Sequence, residues 1–153
     1  MELQKTDPEF MERFRHFAFD EVAKEENQQL DAPTRYLAIL AALIGCGGVD
    51  AFREMLPAAL ENSVTPVMVK ETVYQAADYL GYGRMLPFLN VTNETFTQME
   101  IALPLPGQAT TTMNDRLEKG VEAQAKIFGE HMKEAWKKGH INAWFDSPSR
   151  RYP

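Results

Sequence analysis

The chain carries a single cysteine among 153 residues, and that scarcity removes two classes of protein at once. Without a second thiol there is no intrachain disulfide framework and no cysteine-based zinc site, which suits a reducing cytosol. Positive charge is also short: 16 lysines and arginines face 22 acids, a net charge of -6. That balance argues against long nucleic acid or an anionic membrane as a partner. The three histidines, His16, His131 and His140, lie far apart without metal-ligand spacing, so no metal is expected. No phosphate loop or dinucleotide glycine pattern occurs, and no cofactor is expected. The amino terminus, MELQKTDPEF, is acidic and polar where a secretory leader needs an apolar stretch. The longest apolar run, Leu37 to Cys46, is too short to cross a bilayer. These absences describe a soluble, cytoplasmic protein.

What is present is ordinary globular material. Hydrophobic residues make up 44% and charged residues 25%, enough to build one domain over residues 1–153. No segment sustains strand alternation, so the expected fold class is all-α, with about six helices. Asp7-Pro8 reads as a cap followed by proline at the first helical position, opening a helix to about Glu26. Phe10, Phe14, Phe17 and Val22 give that helix one greasy face. Asp31 caps a second helix, apolar nearly all round from Tyr36 to Ile44, which means full burial or a subunit contact. Gly45, Gly47 and Gly48 are expected to break it. Asp50 then caps a third helix ending near Asn62, bent at Pro57.

Thr65-Pro66 opens a fourth helix, with Val69, Val73, Ala76, Ala77 and Leu80 inward and Gly81 as its terminator. A fifth is expected from about Arg84 to Met99, interrupted at Pro87. IALPLPGQATTT reads as an ordered connector, with Ile101, Leu103 and Leu105 wanting burial. Thr112 and Asp115 form a capping pattern before one long helix, Met113 to about Lys138, closed by Gly139.

From Leu30 to Leu80 the chain sets LDAPTRYLAILAAL, a glycine turn, an ALENSVTP step and a helix holding Glu71, followed by the spacing Y.G..R at Tyr79, Gly81 and Arg84. In that order these elements resemble the carboxymuconolactone decarboxylase family, which includes alkylhydroperoxidase D. The resemblance implies a helical core over 30–100, a homo-oligomer (trimer or hexamer) and a small-molecule substrate. A second likeness lies in RLEKGVEAQAKIFGE, where Arg116, Gly120 and Gly129 look like the segment that usually precedes the family core. It implies a circularly permuted or swapped domain, with residues 113–138 packed on the same or a neighbouring core, or else the start of a second repeat. Packing would cover Ile127, Phe128, Met132 and Trp136.

Alkylhydroperoxidase-like members use a CxxC pair, a following histidine and an earlier glutamate. Those positions fall here on Gly48 and Ala51, Met55, and Tyr36. A two-cysteine peroxidase mechanism is therefore excluded, and the decarboxylase histidine is also missing. Cys46 remains, between a buried helix and the start of the next. It is either the catalytic thiol of a one-cysteine, peroxiredoxin-type peroxidase or a packed, inert core cysteine, the commoner case. For a carboxylated lactone or related organic acid, Arg35 would hold a carboxylate, and Tyr36 or Tyr74 would give a proton. Arg35 as a plain helix-start ion pair is the simpler alternative. Tyr74, Gln75, Asp78 and Tyr79 cluster on the fourth helix, with Glu71 one turn earlier as a base. That cluster is either a pocket wall or a hydrogen-bonded helix interface. A non-catalytic oligomeric binding protein stands as a third reading. The basic residues Lys137, Lys138, Arg150 and Arg151 read as a solvated tail.

Overall fold

A computed structural model describes residues 3–26 and 30–138. Within these residues every regular element is helical, and no strand occurs. The chain divides into two compact units, one to Leu105 and one from Pro106.

The first unit opens with a single turn, α1 (Leu3–Thr6), and α2 (Pro8–Arg15), then a π-helical stretch, His16–Glu21, and α3 (Val22–Lys24). Pro8 does sit at the helix start, but Asp7 caps nothing; its carboxylate accepts from the Thr6 hydroxyl at 2.6 Å instead. The widened π turn shifts the register of the face carrying Phe17 and Phe19 relative to Phe10 and Phe14. All four phenylalanines are exposed, with Phe10 and Phe14 stacked at 6.2 Å.

Four longer helices form the core: α4 (Ala32–Cys46), α5 (Val49–Glu61), α6 (Pro66–Leu80) and α7 (Tyr82–Gln98). Asp31 caps α4 by accepting from the Thr34 amide at 2.8 Å, as expected. Thr65 caps α6 in the same way through Met68. Gly45 does not break α4, which runs on to Cys46; the stop is Gly47, at φ 76, a region that an L side chain enters only with strain. Gly48, not Asp50, occupies the cap position of α5, and Asp50 lies inside the first turn. Pro87 does not interrupt α7, which begins at Tyr82 and passes through it.

α4 packs on α5 and α6, and α7 on α5 and α6, so the four close around one core. Leu40, Ile44, Phe52, Leu56, Val69, Val73, Phe88, Val91 and Phe96 are buried there. Phe52 and Phe88 meet edge to face at 5.3 Å. The run from Leu37 to Ile44 is not buried all round: Leu40 and Ile44 are enclosed, while Ala38, Ala41 and Ala42 are exposed. Ile101 and Leu105 of the connector pack on the core, whereas Leu103 is exposed.

The second unit contains two helices rather than one. α8 (Arg116–Phe128) ends at Gly129, φ 107, and α9 (His131–Lys137) follows. The expected capping residues do meet: Asp115 accepts from both the amide and the hydroxyl of Thr112. Trp136 donates to Gln124 at 2.6 Å and joins the two helices. Ala125 is buried, while Ile127 and Phe128 are exposed. Gly139, His140, Arg150 and Arg151 lie outside the described residues.

Candidate functional site

Arg35 and Tyr36 lie in neighbouring positions near the start of α4, on the side facing the N-terminal helices. Both line an open cavity of about 470 Å³, with Ile39 of α4, Met55 of α5, and Phe14, Ala18 and Phe19 above. Its walls are mainly apolar. Arg35 donates from Nη1 to the carbonyl of Ala23 at 3.0 Å, fastening the end of α3 to α4. This contact uses one of its five donors and leaves the rest of the fork for an anion. It is neither the ion pair expected for a helix start nor a bond to another side chain. The hydroxyl of Tyr36 accepts from Asn62 Nδ2 at 3.4 Å, and the same amide donates to the carbonyl of Ala58 at 2.8 Å. Among the described residues no acceptor takes the Tyr36 proton, which leaves it available to a ligand. An adjoining cavity of about 560 Å³ shares Arg35 and Ile39 and adds Glu21 and Glu25.

The other expected site residues lie elsewhere. Gln75 lines a separate cavity of about 340 Å³ between α4 and α6, with Ile44, Gly45, Thr72 and Tyr79. Glu71 is half-buried, Tyr74 and Asp78 are exposed, and none of the three lines the Arg35 cavity. Cys46 is not a packed core residue: it is exposed at the end of α4, and its Sγ–H points to the carbonyl of Leu43 at 3.5 Å. The fold brings Arg35 and Tyr36 together but does not join them to Cys46, Glu71 or Tyr74.

Two residues escaped the sequence reading. Asn62, at the end of α5, meets Tyr36 only through the crossing of helices, and nothing local signals that. Lys70 is 7% exposed among core residues of α6 and α7. A signal existed here, since a residue three before Val73 and next to Val69 falls on the inward face of a helix.

Tyr36 and Met55, where the likeness puts the glutamate and histidine of alkylhydroperoxidase-like proteins, line one cavity. The model of the carboxymuconolactone decarboxylase family matches residues 8–94. The chain belongs to that family. The match takes in α2, the π-helical stretch and α3 as well as all of α4, α5 and α6. Neither the curated proteins nor the solved structures give a match. Among the described residues no helix is long and apolar enough to cross a membrane.

Proposed function

We propose that this protein acts on a carboxylated lactone or a related small organic acid, held in the cavity beneath the N-terminal helices. The observation that carries this reading is the convergence of Arg35 and Tyr36 on one apolar cavity. A planar guanidinium can bind a carboxylate in a fork, and the apolar walls suit the ring. Tyr36 is the proton donor in this scheme. It takes the part of the glutamate and histidine that alkylhydroperoxidase-like proteins carry at the positions of Tyr36 and Met55. Electron flow out of the departing carboxylate would go to the lactone carbonyl, whose oxygen takes up charge that Tyr36 neutralises. The test compares a carboxylated γ-lactone with its methyl ester by calorimetry and by carbon dioxide release. The acid should bind and the ester should not, and Arg35→Met should weaken the acid by about tenfold or more. Equal binding of acid by wild type and Arg35→Met would sink the proposal.

A one-cysteine thiol peroxidase built on Cys46 is the second reading, favoured by the exposure of that thiol. Against it, no described ion pair or hydrogen bond brings a basic side chain to Sγ. The assembly proposed with either reading is a homo-oligomer. Exposed Phe10, Phe14, Phe17 and Phe19 supply apolar surface for it. The same assembly would give residues 113–138 a neighbouring core to pack on. Sedimentation at micromolar concentration checks this, and a monomer would refute it.

A further inference from the structure

A helix with one apolar face is normally fixed by burying that face. The N-terminal helices lack this restraint. From Leu3 to Lys24 no residue is buried, and Phe14, Phe17, Phe19 and Val22 are between 43% and 58% exposed. None of them joins the core cluster, whose partly buried neighbours begin at Tyr36. The ion pairs of this segment stay within it: Arg13 with Glu9, His16 with Glu21, and Lys24 with Asp20. Among the described residues one hydrogen bond crosses to the core, from Arg35 Nη1 to the carbonyl of Ala23 at 3.0 Å. Two residues later Glu25, at ψ 130, leaves the helix. The segment meets α4 across the two open cavities of about 470 and 560 Å³, forming a wall of each instead of closing on the core. Few buried apolar contacts and a single polar link are what a low-stability, displaceable element has, and lids over binding sites are drawn from such elements.

We infer that residues 8–24 form a movable cover over the Arg35 cavity, tethered to α4 by the Arg35–Ala23 bond. The bond lies at the end of the segment nearest α4 in sequence, so the Phe14 and Phe19 end moves while the Ala23 end is held. Lowered, Phe14 and Phe19 approach Ile39 and Met55, narrow the cavity and shed water from their exposed rings. Raised, they open the cavity to a ligand. The tether and the fork that would hold a carboxylate are one side chain, which places control of the cover at the binding residue itself. The tether needs no ligand, so the cover is read on the protein alone and separately from whether any acid binds beside Arg35.

The experiment measures a distance across the cover. Spin labels are placed at Glu12→Cys and Asn90→Cys, both exposed positions, with Cys46→Ser to remove the native thiol. Labelled chains are diluted with unlabelled ones, so that only pairs within a chain are read by pulsed dipolar spectroscopy. With Arg35 intact one main separation is expected. Arg35→Met should raise the share of molecules at other separations by about threefold or more, the effect of losing one hydrogen bond from a charged donor. Circular dichroism establishes that the variant is folded. If it is not, Phe19→Ser takes its place: it keeps the tether, removes a ring that faces the core, and should spread the separations in the same way. A distribution unchanged in the folded variant would overturn the proposal. That is the outcome if a second copy of the chain, and not Arg35, holds the segment in place.

Discussion

Tyr36 on α4 and Met55 on α5 face one cavity, although they belong to different helices separated by a glycine turn. In the likeness to alkylhydroperoxidase-like proteins these are the glutamate and histidine positions. On that likeness, the positions of both acid–base groups are filled here by a phenol and a thioether at the wall of one cavity. Among the described residues lining this apolar cavity, Arg35 is the one that carries a permanent charge.

Restoring the imidazole should make that cavity pH-sensitive. Met55→His places a group with an ordinary pKa of about 6.5 next to a bound carboxylate. Acid binding should then strengthen as pH falls through that region, because the imidazolium adds a second cation. Wild-type binding should stay flat there. Calorimetry with the carboxylated lactone across this range checks it, and parallel pH profiles for the two proteins would refute it.

Cys46 should alkylate in the native protein at a rate close to that of an unfolded control. Its exposure at the end of α4 removes the steric protection expected of a core thiol. The absence of a described basic partner removes the reason for acceleration. Second-order labelling rates decide between three outcomes. A native rate far below the control restores the packed cysteine. A native rate far above it promotes the thiol peroxidase.

The helical class and most helix starts were legible, because Asp31-Ala-Pro and Thr65-Pro66 are local signals that act through their own backbone. The failures are equally physical. Pro87 lies inside a helix whose burial outweighs the lost hydrogen bond. Gly129 splits α8 from α9 through a positive φ that apolar periodicity does not register. At the site, Arg35 and Tyr36 were legible from motif order, whereas their convergence with Met55 and Asn62 depends on helix crossing. Tyr74 was joined to Arg35 and Tyr36 by residue type, with Glu71 one turn earlier, and neither Tyr74 nor Glu71 lines the Arg35 cavity.

The edge-to-face pair Phe52–Phe88 should dominate core stability. Both rings are enclosed, and their contact joins α5 to α7. Either substitution to alanine should cost about 3–5 kcal/mol. Their combined cost should differ from the sum by about 0.5–1.5 kcal/mol, the size of an aromatic pair coupling. Urea unfolding of the two single variants and the double variant measures both quantities. Strict additivity would show that the rings do not interact.

Thr65 should matter to stability well beyond its exposed position. Its hydroxyl accepts from the Met68 amide at 3.2 Å, and α6 carries Val69 and Val73 into the core. Thr65→Ala should cost about 1 kcal/mol, and Thr65→Ser close to nothing. Equal losses from both would assign the effect to the methyl group rather than to the cap.

Lys70 should impose a pH dependence on folding that a neutral side chain removes. Desolvation lowers the folded-state pKa of its amine below the ordinary 10.5, so across the interval between those values the unfolded chain holds more protons than the folded one. Stability must then rise with pH through that interval, and the cost of enclosing the charge is felt in full below the folded pKa. Lys70→Met keeps an apolar stem of similar length and has no proton to lose. It also leaves Asn93 Oδ1 without its donor, which subtracts a roughly constant amount at every pH. The sign of the stability difference at one pH is therefore not the test; its slope is. The stability of Lys70→Met relative to wild type should be highest below the folded pKa and decline as pH climbs toward 10.5. Urea denaturation at a series of alkaline pH values gives that slope. A difference that stays constant across the series would mean that the amine remains fully charged in the folded protein, and the desolvation argument would fail with it.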